Sequence, residues 1–449
     1  MSLRTVILAA GQGTRMKSSR PKVLHEIAGL PMIDHVIEES RDLSKQRPVV
    51  VVGHQADLLE AHLGDRAETV LQSERLGTGH AVMMAADRIV DGEDVLVLCG
   101  DTPLIRRETL KEMAERRKEG FGAVVLSAFV EDPTGYGRIL RDEKGDFLKI
   151  REQKDASEEE RAIREINAGM YVFEGRLLKE NLKKLRADNA QKEYYLTDVL
   201  EHILRSGRRI AVCEAPQEEI LGVNSRKQLA EAEREMRLRI NYRHMQKGVT
   251  LIDPESTYIE KNVRIGADTL IYPNCHLRGE TVLGEGCIIR ENTTIEDSVL
   301  GDFVEVRNST ILKSRIGDET TIGPYAYLRP KSVLGKKVRI GDFVEVKNAE
   351  IGEGSKASHL SYIGDATVGK DVNIGCGVVF VNYDGVKKYQ SVVRDKAFIG
   401  SNSNLVAPVL VEEGAYIATG STVTIDVPAN ALCIARARET LKKDWRLKR

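Results

Sequence analysis

The chain has almost no net charge, 67 Lys and Arg against 68 Asp and Glu for a formal −1 at pH 7. A nucleic-acid binder would show a strongly basic domain, so that class is excluded. Local basic clusters can still hold phosphorylated small molecules. No apolar run approaches the roughly 20 residues that cross a bilayer, so no membrane span is expected. The opening MSLRTVILAA has one Arg and too short an apolar stretch for a signal peptide, and reads as a first strand. The six cysteines (Cys99, Cys213, Cys275, Cys287, Cys376, Cys433) include no C-x-x-C pair. That argues against a disulfide scaffold or zinc site and for a reducing, cytoplasmic setting.

What is present is a repeat. Ile259, Ile265, Ile271, Leu277, Leu283, Ile289 and Ile295 recur at every sixth residue. After one shift of register, Ile316, Ile322, Leu328, Leu334, Ile340 and Val346 continue, and the rhythm resumes at Ile363, Val368, Ile374, Ile399, Leu405 and Ile417. A period of six fits neither a helix nor an ordinary alternating strand. It fits a triangular parallel β-helix in which three short strands per coil each send one aliphatic side chain inward. Two long runs disfavour accidental spacing in a β-sandwich. From Ile259 to about Ile425 this predicts roughly nine coils, on the order of 40 Å at the usual strand spacing. The period does not fix the hand.

At 449 residues the chain has room for two or three domains. Residues 4 to about 225 alternate aliphatic runs (Thr5 to Ala9, Val49 to Val52, Val95 to Leu98, Ala123 to Ser127, Met170 to Phe173) with polar helical stretches, the signature of a mostly parallel sheet. Ligands of such sheets sit beyond the carboxyl ends of the strands. After the first run comes LAAGQGTRM, where Gly11 and Gly13 permit close backbone approach to an anion and Arg15, Lys17, Arg20 and Lys22 add positive charge. It is neither a dinucleotide fingerprint, since Met16 stands where a third glycine is needed, nor a P-loop. Polyphosphate binding is expected. Asp101, at the end of DVLVLCGD, offers a hard oxygen suited to Mg²⁺. Gln72, Gly77, Thr78, Gly137, Glu152, Asn167 and Asn224 are read as punctuating strand ends.

From Ser225 to about Gln246 the pattern is helical, a connection between domains in which Asn224 could equally be an N-cap. Within the repeat, VVFVNYDGVKKYQSVVRD breaks the rhythm and should project as a loop. Arg329, Lys347, His359 and Tyr362 are spaced so that two coils could bring them to one edge. A neutral imidazole such as that of His359 can accept the proton an amine loses on attacking a thioester. The basic tail LKKDWRLKR is read as solvated.

LAAGQGTRM, QSERLGTGHA, CGD, GYGRI, EINAG and GVNS, in that order, followed by GSKASHLSYIGD, NIGCG and NYDG, resemble the bacterial GlmU family of bifunctional uridylyltransferase–acetyltransferases along essentially the whole chain. The resemblance implies an α/β protein: a Rossmann-like nucleotidyltransferase domain (1–224), a linker helix (225–247) and a left-handed parallel β-helix of hexapeptide repeats (248–449). It implies that Leu8, Ala9, Ala10, Gly11, Gln72, Gly77 and Thr78 hold the uridine of UTP, and Gly137, Glu152 and Asn167 the sugar phosphate. Asp101 and Asn224 would hold Mg²⁺, while Arg15 and Lys22 neutralise the triphosphate. In the repeat it implies His359 as general base supported by Asn382, and Arg329, Lys347, Tyr362 and Asn373 around glucosamine 1-phosphate. Cys376, Asn382, Tyr383, Ser401, Thr419 and Arg436 would line the acetyl-CoA side, in a cytoplasmic homotrimer. Four positions depart from the family's usual residues: Gln12 for lysine, Cys99 for tyrosine, Cys376 and Thr419 for alanine. A different reading makes the repeat a regulatory or trimerising scaffold only; it leaves His359 and the NYDG insertion without a purpose.

Overall fold

The computed structural model describes residues 2–443 and 445–448; Asp444 and Arg449 of the basic tail lie outside the described residues. The chain divides into two compact units, residues 1–236 and 237–449. The expected linker is a single helix, Arg226–Met245, which the division cuts.

The first unit is built on strands β1 (Leu3–Leu8), β2 (Val49–Val52), β3 (Glu68–Leu71), β4 (Asp94–Cys99), β5 (Ala123–Phe129), β6 (Arg138–Arg141), β7 (Phe147–Arg151), β8 (Glu165–Glu174) and β9 (Ile210–Glu214). The sheet order is β9-β5-β8-β4-β1-β2-β3, with β6 and β7 a hairpin paired to β8. All adjacent pairs on this path are parallel except those of β8, which runs antiparallel between β4 and β5. Alternate residues of one strand feed two cores: Ile7, Leu96 and Leu98 pack with Ile33 and Val36 on one face, and Val6, Val95 and Val97 with Val82 and Leu200 on the other. Strands covered on both faces read as unbroken aliphatic runs, which is why Val49–Val52 is legible in the sequence. β3 is half-exposed at the sheet edge, and the β6–β7 hairpin mixes buried apolar residues (Ile139, Phe147, Ile150) with charged ones, so neither carries that signal. One expectation is corrected: Asn167 does not end a strand. It lies inside β8, where the pairing with β5 shifts register between Asn167 and Tyr171 and Gly169 takes φ +73°.

The second unit is a left-handed parallel β-helix. One face is an 11-stranded ladder from Thr250–Leu251 to Leu432–Cys433, and a 17-stranded sheet forms the other two. The 11 rungs exceed the expected nine coils, because the array starts before Ile259, at Thr250–Leu251, and runs past Ile425, to Leu432–Cys433. Ile425 is not an inward position; it is 73% exposed. Nor does the register shift only once. Ile295, Leu300, Val306, Ile311 and Ile316 are all buried, so three of the four intervals in this stretch are one residue short. The coil contracts accordingly from 18 residues (Leu270↔Ile288) to 16 (Thr294↔Thr310). Left-handed residues at the corners, among them Asp297, Asn308 and Lys313, allow the tighter turns. Buried residues two positions before the inward aliphatics, small ones such as Thr269, Cys275 and Thr281 or valines such as Val304 and Val338, fill the corners. The stacked coils bury one another's apolar ends, so the prism holds together as a whole.

Two candidate active sites

β1 and β4 are register partners to their ends, Leu8 opposite Cys99, so the loop Ala9–Gly11 and the turn Gly100–Asp101 emerge side by side. Ala9–Gly11 and Asp101 line a cavity of about 270 Å³ together with Lys22, Gln72, Gly77 and Thr78. Gly77, at φ +104°, tolerates no side chain: a Cβ would stand 2.6 Å from the Tyr194 carbonyl oxygen. The close approach is held by Gly79 N–H donating to that oxygen (2.8 Å) and Tyr194 N–H donating to the Leu76 carbonyl (2.7 Å). Gln72 is buried and its amide donates to the Gly77 carbonyl at 3.2 Å, which fixes its direction at the pocket wall.

Lys22 is the cation of the glycine loop that enters this pocket. Its ammonium donates to Asn224 Oδ1 at 2.9 Å and forms a close ion pair with Asp101. Arg15 and Lys17 are exposed, and Arg20 pairs with Glu26 at 3.0 Å. Asn224 is delivered by its neighbour, since Val223, fully buried, donates its N–H to the Asp101 carbonyl at 2.9 Å. The helix that follows is capped by Ser225, whose Oγ accepts from Gln228 N–H at 3.3 Å, and Gln228 Oε1 accepts Asn224 N–H at 3.0 Å. Capping therefore does not claim the Asn224 side chain. Two hard oxygens converge on one cation, a donor set that suits a divalent ion completed by phosphate oxygens and water. No cluster of three or more His, Cys, Asp or Glu side chains is arranged for a metal among the described residues. Burial and the Asp101 charge push the Cys99 thiol up to about 12, so it stays protonated beside the pocket.

Gly137, Glu152 and Asn167 share one neighbourhood. Asn167 N–H donates to the Gly137 carbonyl (2.9 Å), and a Cβ on Gly137 would approach the Glu152 carboxylate at 3.4 Å. Burial raises the Glu152 pKa. Asn167 Nδ2 donates to the hydroxyl of buried Tyr171 at 2.8 Å.

In the β-helix the expected residues fall into two groups. His359 ends the rung Lys356–His359 of the 11-stranded face, and its Nδ1 lies 2.6 Å from Asp342 Oδ1. Along this corner, successive coils are tied by Leu360 N–H to Asp342 O (2.8 Å), Gly377 N–H to Leu360 O (2.9 Å), Asn402 N–H to Cys376 O (2.7 Å) and Gly420 N–H to Ser401 O (2.9 Å). Cys376, Ser401 and Thr419 thus stack in a column that starts at His359, with Asn373 on the same face and Arg436 near Gly420. The second group stands on the 17-stranded sheet. Arg329 pairs with Glu345 at 2.8 Å, Asn382 donates to the Tyr362 hydroxyl (3.4 Å) and to Asp365, and Lys388 lies against Lys347. Mutual repulsion with Lys347 lowers the Lys388 pKa, as expected of two cations placed to share an anion. The insertion folds back as a small hairpin closed by a Tyr383–Lys388 bridge, with Asp384 Oδ1 accepting from Val386 N–H (2.7 Å) and Lys387 N–H (2.6 Å).

Two expectations change here. Arg329, Lys347 and Tyr362 do gather, but His359 is not on their edge, because the corner at Leu360 (φ +40°) turns the chain onto a different face between His359 and Tyr362. Within one chain the partner of His359 is Asp342, not Asn382.

Residues 5–239 match the MobA-like NTP transferase domain and residues 250–356 the GMPPB C-terminal domain. The bifunctional protein GlmU of Clostridioides difficile (strain 630) is 56% identical over 447 residues, 99% of this chain and 97% of that protein. GlmU of Alkaliphilus metalliredigens (strain QYMF) is 53% identical, with 99% and 98% covered, and that of Geobacillus sp. (strain WCH70) is 52% identical, with 98% and 96% covered. The chain belongs to the GlmU family.

Several groups at the two GlmU-type sites went unread in the sequence. Arg75 and Glu193 line the glycine-loop pocket; Arg75 stands within QSERLGTGHA between Gln72 and Gly77, while Glu193 lies in none of the motifs. Lys388 sat inside the insertion as one of several cations. Asp342 had a signal that a count by six does not expose: it lies 17 residues before His359, one coil away.

Proposed function

We infer that the protein makes UDP-N-acetylglucosamine by two transfers, acetyl transfer from acetyl-CoA to glucosamine 1-phosphate and then uridylyl transfer from UTP to N-acetylglucosamine 1-phosphate with release of pyrophosphate. The observation that carries the second transfer is the convergence of Asp101 and Asn224 on the Lys22 ammonium at the glycine-loop pocket. In that step a phosphate oxygen of the sugar phosphate forms a bond to the α-phosphorus of UTP as the bond to the pyrophosphate oxygen breaks. The attacking phosphate is already an anion, so the chain's contribution is orientation and charge neutralisation. Leu8, Ala9, Ala10, Gly11, Gln72, Gly77 and Thr78 hold the uridine; Gly137, Glu152 and Asn167 hold the sugar phosphate. Lys22 bears on the triphosphate, and Arg15 approaches from the exposed loop. Asp101 and Asn224 would hold Mg²⁺, which when bound screens the phosphate charge.

For acetyl transfer, Arg329, Lys347 and Lys388 supply positive charge for the sugar phosphate beside Tyr362. The column Cys376, Ser401, Thr419 and Arg436 runs from His359 along the corner and suits an extended thioester. His359 takes the proton of the attacking amine. Because the base and the phosphate group occupy different faces in one chain, a complete site needs a second copy, which supports a homotrimer with acetyl sites shared between subunits. The reading places the enzyme in the cytoplasm; no helix among the described residues is long and apolar enough to cross a membrane.

The test is a pair of assays of the purified protein, one with glucosamine 1-phosphate and acetyl-CoA that follows free thiol, the other with N-acetylglucosamine 1-phosphate, UTP and Mg²⁺ that follows pyrophosphate. His359→Ala abolishes thiol release and leaves pyrophosphate release intact. Loss of both activities, or of neither, overturns the two-site reading.

A further inference from the structure

His359 stands on an exposed rung, where an imidazole with no partner would rotate freely and exchange its proton between the two ring nitrogens. It has a partner. Asp342, on the rung below and in register with it (Asp342↔His359), places Oδ1 2.6 Å from Nδ1. The backbone is arranged for this approach. Gly341 precedes Asp342, and a Cβ there would run into the Ser358 carbonyl oxygen, so the two rungs come together more closely than side chains at that position would allow. Leu360 N–H then donates to the Asp342 carbonyl at 2.8 Å and locks the corner. The hydrogen bond from His359 and one from a backbone N–H hold the Asp342 carboxyl below its usual range, so it is ionised and can only accept. The nitrogen facing it must therefore carry the hydrogen. The other titratable side chains on the rungs around the ring are Arg339 below, Lys356 on the same rung, and Cys376 one coil above.

We propose that Asp342 is a positioning residue for acetyl transfer: it holds His359 as the Nδ1–H tautomer, so that the Nε2 lone pair is directed at the attacking amine. This rests on the assignment of His359 as the general base. In the step, the amine nitrogen bonds to the thioester carbonyl carbon, its proton passes to Nε2, and the C–S bond breaks. The departing thiolate of CoA takes the proton back from the imidazolium and leaves as thiol, so the ring ends neutral with its hydrogen again on Nδ1. Free imidazole favours the opposite tautomer, with hydrogen on Nε2, which cannot accept a proton there. An ionised oxygen against Nδ1 reverses that preference without touching substrate.

The experiment uses the full-length enzyme and three variants. Asp342→Ala lowers kcat for acetyl transfer about 10- to 100-fold, the scale of a general base that has lost its orientation. KM for both substrates stays within about twofold, and uridylyl transfer is unchanged, which reports a folded chain. Asp342→Asn, whose amide oxygen can still accept from Nδ1–H, recovers most of the loss. In protein labelled with ¹⁵N-histidine, His359, assigned by its disappearance in His359→Ala, shows the Nδ1–H tautomer in the parent and a shift toward Nε2–H in Asp342→Ala. A parent signal of the Nε2–H form, or an Asp342→Ala enzyme with unchanged kcat, overturns the proposal. Should His359→Ala retain acetyl transfer, the reading of the site itself fails, and the tautomer spectrum still reports separately whether Asp342 holds the ring.

Discussion

The Lys22 ammonium lies 2.9 Å from Asn224 Oδ1, on the cation position that Asp101 and Asn224 define together. Residues about two hundred positions apart in the chain meet there because β1 and β4 end side by side and buried Val223 anchors the returning strand-to-helix turn on the Asp101 carbonyl. Lys22 and a bound divalent ion would compete for the same oxygens. On the proposed reading, a Lys22 ammonium displaced by the ion would be free to neutralise the triphosphate.

Lys22→Ala therefore lowers pyrophosphate release by about a hundredfold or more, the usual effect of deleting a charge that stabilises a transferring phosphoryl group. The acetylation rate is unaffected. Asp101→Asn raises the Mg²⁺ concentration needed for half-maximal turnover. Titrating Mg²⁺ against pyrophosphate release in each variant measures both effects, and an unchanged Mg²⁺ requirement removes Asp101 from the metal site.

Gly77→Ala brings a Cβ to 2.6 Å from the Tyr194 carbonyl oxygen at a φ of +104°, so the loop must move. A displacement of that kind misplaces the nucleotide rather than unfolding the sheet. The expected result is a KM for UTP raised by about tenfold or more, on the order of 1.4 kcal/mol, with little change in thermal midpoint.

Arg329 lies among the cations proposed to hold the sugar phosphate. Arg329→Ala raises KM for glucosamine 1-phosphate and leaves KM for acetyl-CoA near the parent value. The Glu345 carboxylate is exposed enough to find solvent once its partner is gone, so the fold is retained. Lys388→Ala acts in the same direction, and steady-state kinetics with each substrate varied in turn separates the two constants.

His244 is buried, neither ring nitrogen has a hydrogen-bond partner, and burial with the nearby Arg243 and Lys247 charges lowers its pKa to about 4. The folded pKa lies below the unfolded value of 6.5, so the native state refuses a proton that the unfolded chain accepts. Stability is full above pH 6.5 and falls as the pH drops from there toward 4, by about 3 kcal/mol in all. Urea unfolding followed across that range should show the decline, and His244→Phe should remove most of it. A parent protein with a flat profile contradicts the burial argument.

Much of the architecture was written in short-range pattern. The all-valine run Val49–Val52 could only be a strand covered on both faces, and a six-residue aliphatic period has few structural solutions besides a triangular coil. What escaped were elements whose residues face solvent on one side, such as β3 and the β6–β7 hairpin, and the one-residue contractions between Ile295 and Ile316, which a count by six cannot follow. At the glycine-loop pocket, Asp101 and Gly77 were legible because turn chemistry after a strand is local. Glu193 was not, since a loop closing from elsewhere brings it to the wall, and Arg75, in the same loop as Gln72 and Gly77, was one exposed cation without turn chemistry of its own.

By itself the sequence determined that the protein carries a parallel sheet with a cationic glycine loop and a stacked prism, because hydrophobic periodicity and glycine placement act over a few residues. Only the tertiary structure decided which cation of the loop reaches Asp101, which side chain holds His359, and that Arg329 and His359 look out from different faces. The physical reason lies in the coil. Side chains separated by 16 to 18 residues become neighbours, while those three apart across a left-handed corner are turned away from each other.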